Sequence, residues 1–209
     1  MSTQALAVLA ARDARLALAI DLLGPYVHRA RRGSPYEALL SAIVHQQLHG
    51  KAAATILGRL RSLYPGVRYP TPQELLATPD AALRGAGLSR AKLLALKDVA
   101  ARTLDGTVPD RRRLARLPDA AIIERLVTIR GVGRWTAEML LMFTLGRPDV
   151  LPVDDFGIRH GFRLLYAKRS EPTPGSLAAF GERWAPYRTT ASWYLWRYVE
   201  HVRAARRAG

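Results

Sequence analysis

Residues 126–155 decide how this chain reads: Leu126-Val-Thr-Ile-Arg-Gly-Val-Gly-Arg-Trp-Thr-Ala-Glu-Met-Leu-Leu141, then Leu151-Pro-Val-Asp-Asp155. The first part has the pattern of a helix, a Gly-x-Gly hairpin and a second helix. Gly131 and Gly133 let the backbone take φ > 0 and let a phosphate come close. Leu126, Ile129, Ala137 and Leu140 are placed to pack the two helices together. The second helix then offers its first backbone N–H groups to an anion. Asp154 and Asp155 follow an apolar Val150-Leu-Pro-Val153 run that should bury the approach to them. A carboxylate beside a clamped phosphodiester points to chemistry on a nucleic acid. It would stabilise positive charge developing on a deoxyribose, or activate a water. The plain alternative is a helix corner followed by two N-capping acids. The full frame, Leu-x-x-Ile-x-Gly-Val-Gly-x-x-Thr-Ala, is far more specific than a bare Gly-x-Gly.

Working outward, composition supports a polyanionic partner. The 209 residues carry 32 Lys+Arg against 17 Asp+Glu, a formal net charge of +15. That excess favours nucleic acid, with a merely solvated basic face as the alternative. Arg111, Arg112, Arg113, Arg116, Arg130 and Arg134 lie near the hairpin in sequence and suit a DNA backbone. Apolar residues make up 49%, enough for a packed globule. The absence of cysteine excludes disulfides, thiolate nucleophiles, Cys-ligated zinc and iron–sulfur clusters. The first 23 residues are Ala/Leu-rich but interrupted by Arg12, Asp13, Arg15 and Asp21. They read as one amphipathic helix over 2–23, not a signal peptide or membrane span. A cytoplasmic, nucleoid-associated monomer with no membrane partner is expected.

Nearly every other segment also reads helical. Ser34-Pro35 opens a helix reaching about His49, and Gly50 breaks the run before a helix over 51–64. Thr71-Pro72-Gln73-Glu74 repeats the Ser/Thr-Pro-x-Glu start, and Thr78-Pro79-Asp80 does so less fully. Further helices are expected over 89–104, 118–128, 134–145, 155–166, 174–184 and 188–203, with 111–116 a short helix or loop. No strand pattern stands out. Leu83-Arg-Gly-Ala-Gly-Leu-Ser-Arg90 echoes the hairpin without its apolar frame.

Two more constellations bear on function. Ile43-Val-His-Gln-Gln-Leu-His-Gly-Lys51 places amides and imidazoles at a helix end, suited to minor-groove contact or to filling a vacated base position. His45 and His49 have i, i+4 spacing that suits a metal, but no third ligand is apparent. The aromatic set, with Tyr36, Trp135, Phe156, Trp184, Trp193 and Trp196 among it, is mostly core by expectation. Part of it suits stacking on a flipped, electron-poor cationic base.

With these motifs in order, the chain resembles the helix–hairpin–helix DNA glycosylase superfamily over roughly residues 34–200, and within it the 3-methyladenine DNA glycosylase II, or alkylation-repair, branch. The resemblance rests on Tyr36-Glu37 with Ala42-Ile43-x-x-Gln46-Gln47-Leu48-x-x-Lys51-Ala52-Ala53, on Gly87-Leu88-Ser89-x-x-Lys92, and on Gly131-Val-Gly-Arg-Trp-Thr-Ala137. Asp154-Asp155 follows, then Glu182-Arg-Trp-x-Pro-Tyr-Arg188 with Ala191 and Trp196. It implies an all-α, two-lobed fold with the active-site cleft between the lobes. The central lobe would span about 36–150, and 1–35 plus 151–209 would form the other.

The resemblance also implies base flipping from double-stranded DNA and hydrolysis of the N-glycosidic bond. It makes Asp155 the catalytic carboxylate and Asp154 a second acid, though an alignment slid by one residue exchanges them. It assigns Trp135, Phe156, Trp196, Tyr36 and Met139 to the base pocket, with Met139 standing where some relatives have an aromatic. It assigns Gln46, Gln47, Leu48 and His49 to a minor-groove wedge, and Gly131, Val132, Gly133, Arg134 and Thr136 to the backbone-binding hairpin. Trp135 replaces the lysine of strand-cleaving relatives, which implies a monofunctional enzyme. No cofactor or catalytic metal is implied, but the carbonyls of Val127, Ile129 and Val132 are placed to hold a Na+ or K+ ion. The β-rich N-terminal domain of some longer bacterial relatives has no counterpart in residues 1–33. Deaminated or etheno bases are the alternative substrates. A non-catalytic DNA-binding hairpin protein is the alternative class.

Overall fold

Side-chain caps set where about half of the described helices begin. In the computed structural model, residues 3–27, 33–48 and 50–208 are described. Their helices are α1 (Thr3–Arg12), α2 (Ala14–Leu23), α3 (Pro35–His45), α4 (Gly50–Ser62), α5 (Pro72–Ala77), α6 (Asp80–Gly85) and α7 (Arg90–Leu104). Then come α8 (Arg111–Ala115), α9 (Asp119–Leu126), α10 (Arg134–Leu140), α11 (Phe156–Leu165), α12 (Pro174–Gly181) and α13 (Arg188–Ala208). No strand occurs among the described residues, so the all-α expectation holds. Ser34 with Glu37, and Thr71 with Glu74, form reciprocal capping boxes ahead of a first-turn proline. Ser89, Asp110, Asp155 and Thr173 each cap a helix through their side chains.

Two expected helices are corrected. Residues 2–23 do not form one helix: the run breaks at Asp13, which caps α2 by accepting from the Arg15 and Leu16 N–H groups. The same carboxylate is 6% exposed and also accepts from the Tyr166 hydroxyl at 2.5 Å and the Trp184 indole N–H at 2.9 Å. Four donors thus satisfy this buried carboxylate, two of them freed by the break in the helix. Residues 134–145 begin as α10 but widen into a π-helical turn over Leu141–Leu145.

The chain divides into two units. One comprises residues 31–145, the other 1–30 with 146–209. In the 31–145 unit, Leu39, Leu40, Ile43 and Val44 of α3 are fully buried, as are Leu96 and Val99 of α7 and Leu126 of α9. In the other unit, Leu9, Leu16, Ile158, Leu177, Trp184, Tyr194 and Leu195 form a core with Phe162. Phe162, Tyr166, Phe180 and Trp184 stack and edge against one another there, with centroids 4.4–6.4 Å apart. α11 crosses α13 at Gly161, where an added Cβ would lie 2.3 Å from the Leu195 carbonyl oxygen. No described helix is long and apolar enough to cross a membrane.

Candidate active site and nucleic-acid interface

The hairpin between α9 and α10 belongs to the 31–145 unit. Leu126, Ile129, Val132, Ala137 and Leu140 are buried beneath it, whereas Gly131, Gly133 and Arg134 are exposed. Gly131 has φ +76°, and a Cβ there would meet the Ala95 methyl at 2.9 Å, so both conformation and space require glycine. The turn is fastened to α7, because Asp98 accepts the Arg130 N–H at 2.7 Å. α10 starts at Gly133, which has no side chain to cap its first turn. Arg134 is committed locally: its guanidinium pairs with buried Glu138 at 3.0 Å. The Ile129 carbonyl accepts the Val132 N–H at 3.0 Å and keeps a second lone pair. The Gly131 carbonyl instead faces Gln46.

The segment after α3 is tied to this hairpin. Gln46 Nε2 donates to the Gly131 carbonyl at 2.9 Å and lies 3.4 Å from the Thr136 hydroxyl. Lys92 Nζ donates to the Val44 and Gln46 carbonyls at 2.6 and 2.8 Å, which fixes the end of α3, and partial burial pushes its pKa down. Gln47 is exposed with φ +56°, a strained conformation for a non-glycine residue. Leu48 is 37% exposed. Gln47 and Leu48 thus project from a rigid anchor. His49 lies outside the described residues. His45 Nδ1 bonds to the Ser41 carbonyl at 2.8 Å, and no metal-binding cluster occurs among the described residues.

A cavity of about 320 Å³ opens in the same unit, near the lower end of the roughly 300–1,000 Å³ of small-ligand pockets. One wall is a stripe of α3 at helical spacing: Glu37, Ala38, Ser41, Ala42 and His45. The facing wall is Trp135, Thr136, Met139 and Leu140 of α10, continued by Phe143 and Thr144 of the π turn. Arg68 and Tyr69 contribute from the loop after α4. Trp135 and Met139 thus line the cavity. Tyr36 does not: it is buried within the unit, and burial pushes its phenol pKa well up.

The carboxylates belong to the other unit. Asp155 is the N-cap of α11, and its Oδ1 accepts the Ile158 N–H at 2.8 Å and the Trp196 indole N–H at 2.9 Å. Gly157 makes room for this pair: a Cβ there would stand 2.9 Å from Trp196 Cδ1 and 3.0 Å from Asp155 Oδ1. Asp154 is exposed in the preceding turn. The segment leading to the carboxylates is pinned to the start of α13. Arg188 makes a two-pronged ion pair with Asp149 at 2.7 and 2.8 Å, and Thr189 accepts the Val150 N–H while donating to the Arg147 carbonyl. Phe156 is 64% exposed and stacks on His160, whose Nδ1 bonds to Glu171 at 3.0 Å.

Sequence reasoning assigned no role to Gly157, Lys92, Phe143, Arg68 or Tyr69 in these arrangements. It assigned Trp196 to the base pocket without foreseeing that its indole N–H donates to Asp155. The stripe on α3 was written at i, i+4 spacing, but nothing local says which face of a helix meets a cavity.

A family model described as HhH-GPD superfamily base excision DNA repair protein matches residues 40–186. DNA-3-methyladenine glycosylase 1 of Schizosaccharomyces pombe is 41% identical over 180 residues, covering 85% of this chain and 79% of that protein. The solved structure of the S. pombe 3-methyladenine DNA glycosylase in complex with abasic DNA superposes with a TM-score of 0.85 at 39% identity, covering 93% of this chain and 96% of that one. A DNA-3-methyladenine glycosidase from Bacillus halodurans gives a TM-score of 0.85 at 37% identity, with 94% and 89% covered.

Proposed function

The chain belongs to the HhH-GPD superfamily of base excision DNA repair proteins, and we propose that within its alkylation-repair branch the protein acts as a monofunctional DNA glycosylase. Its substrates are alkylated purines of the 3-methyladenine and 7-methylguanine type in double-stranded DNA. The observation that carries this reading is the Asp155 carboxylate, held at a helix N-cap by two donors on one oxygen.

The hairpin N–H groups grip a backbone phosphate. Gln46, Gln47 and Leu48 hold the duplex open while the damaged base leaves the stack. Trp135, with Phe143 and Met139, offers the α3–α10 cavity a π face for a cationic ring. N3- or N7-alkylation has already made the base a good leaving group. The C1′–N bond breaks with its electron pair going to the base, which departs neutral. Asp155 stabilises the oxocarbenium-like sugar, water adds to C1′, and the water's proton is released. The products are a free base and an abasic site. The chain's four lysines, Lys51, Lys92, Lys97 and Lys168, all lie outside the 126–155 segment. That supports a hydrolase without a Schiff-base step. Asp155 is favoured over Asp154 because its Oδ1 is held by donors from two elements, whereas Asp154 is exposed in the preceding turn. A Na+ or K+ ion on the Val127, Ile129 and Val132 carbonyls would add fixed positive charge to the hairpin. The protein works as a monomer on DNA in the cytoplasm.

The test is base release from methylated duplex DNA by wild type and Asp155→Asn. Asparagine keeps an acceptor for Ile158 and Trp196 but loses the charge. Wild type should release both bases, and the variant should be slower by at least about 100-fold with abasic-DNA binding retained. Near-wild-type release by Asp155→Asn overturns the role of the carboxylate. No release by wild type overturns the alkylpurine reading.

A further inference from the structure

We propose that Gln46 is a positioning residue that locks the duplex-opening segment, Gln47 and Leu48, to the phosphate-binding hairpin, so that base extrusion draws on the grip on the backbone. This deepens the glycosylase reading above and rests on it. By resemblance Gln46 belongs to the wedge itself, but its amide is committed to protein. Nε2 donates to the Gly131 carbonyl at 2.9 Å and lies 3.4 Å from the hydroxyl of Thr136, which is buried. A carbonyl only accepts, so the nitrogen is the end of the amide that meets the hairpin.

This bond joins the two parts where each is most constrained. Gly131 is the residue of the turn with φ +76°, and Ala95 closes the space where its Cβ would stand. Its carbonyl shares a peptide unit with the Val132 N–H, which donates to the Ile129 carbonyl at 3.0 Å. Both ends of that peptide are therefore held, one of them by Gln46. On the other side, Gln46 directly precedes Gln47, whose φ of +56° persists only if its surroundings fix it. The main chain of Gln46 is held as firmly as its side chain. Its N–H donates to the Ala42 carbonyl at 3.1 Å, and Lys92 Nζ donates to the carbonyls of Val44 and Gln46. Further along the same helix, Asp98 accepts the Arg130 N–H at 2.7 Å. The wedge segment, the hairpin and α7 thus close a triangle of hydrogen bonds.

Pulling a paired base out of the stack is uphill. A segment that must first be ordered against the gripped phosphate adds its ordering cost to that step, and a segment already fixed there does not. The benefit falls on extrusion and leaves bond cleavage untouched. Loss of the Gln46 bond should therefore be felt on a paired base and relieved on a base that is already out of the stack.

The experiment is single-turnover release of 7-methylguanine by the full chain, with enzyme in excess, from two duplexes. In one the damaged base faces cytosine. In the other it faces a pyrene nucleotide, whose ring fills the stack and keeps the damaged base outside it. Gln46→Met keeps length and bulk but has no donor. Lys92→Met frees the same segment from α7 without altering the amide. In each variant the rate on the cytosine duplex relative to the pyrene duplex should fall about fivefold against wild type, the worth of one hydrogen bond. A misfolded fraction lowers the amplitude of a single-turnover reaction and leaves this ratio of rate constants unchanged. An unchanged ratio in Gln46→Met overturns the inference, because bulk alone then suffices. A fall in Gln46→Met that is absent in Lys92→Met also overturns it, because the amide then acts directly on the opposite base. Release from neither duplex by wild type overturns the glycosylase reading, and this inference with it.

Discussion

Asp155, Trp196 and Gly157 form the smallest unit on which the proposed chemistry depends. A carboxylate that must face a developing cation works best if its orientation is set before the reaction begins. Ile158 and Trp196 set it from two helices, and the missing side chain at Gly157 lets the indole come close. Trp196→Phe removes the N–H donor while keeping most of the ring. Gly157→Ala pushes a methyl into the bond itself. Both variants should slow single-turnover base release roughly tenfold, with the Kd for abasic DNA unchanged. Wild-type release by Trp196→Phe would remove the orienting role from the indole.

Among the elements, the α11–α13 crossing matters most, because α11 carries Asp155 at its start and α13 carries Trp196. Their backbones meet at Gly161, where a Cβ would lie 2.3 Å from the Leu195 carbonyl oxygen and 3.1 Å from Leu195 Cβ. Backbone cannot rotate away as a flexible side chain can. Gly161→Ala should therefore cost about 3 kcal/mol or more, read as a lower urea midpoint at unchanged m-value. A midpoint matching wild type would mean that the helices separate without penalty. The hairpin follows the same logic on a smaller scale, since Gly131 lies against Ala95 of α7. The π turn after α10 has a different use. It carries Phe143 and Thr144 on the same cavity wall as Trp135 and Met139.

For the whole molecule, buried phenols set an alkaline limit. Burial raises the pKa of Tyr26 to about 12, and burial first, with the Asp13 contact second, drives Tyr166 higher. Tyr36 and Tyr194 are raised mainly by burial as well. A phenol whose folded pKa lies above its unfolded value, about 10, favours the folded state. That contribution is complete below about pH 10 and is lost as pH rises through the folded values. Stability should hold up to about pH 10 and decline above it. Part of the tyrosinate absorbance should appear only together with loss of helical circular dichroism. Complete tyrosine titration before any loss of helicity would contradict this. The net charge of +15 adds self-repulsion that DNA relieves.

How much of this was legible beforehand follows from distance along the chain. The capping boxes at Ser34 and Thr71, the caps at Ser89 and Thr173, and the buried frame of the hairpin all act within about four residues, so local patterns expose them. The split of the first helix at Asp13 was not legible, because the decisive partners, Tyr166 and Trp184, lie 153 and 171 residues away. The Asp155–Trp196 bond spans 41 residues and the Gln46–Gly131 bond 85. Apart from the break at Asp13, most helix starts and the Gly-x-Gly turn were determined by the sequence alone, through backbone chemistry and periodicity. Which side chains orient the carboxylate, which stripe of α3 lines the cavity and why Gly157 and Gly161 lack side chains were decided only by tertiary structure. Those properties belong to pairs of residues that meet only when distant helices pack.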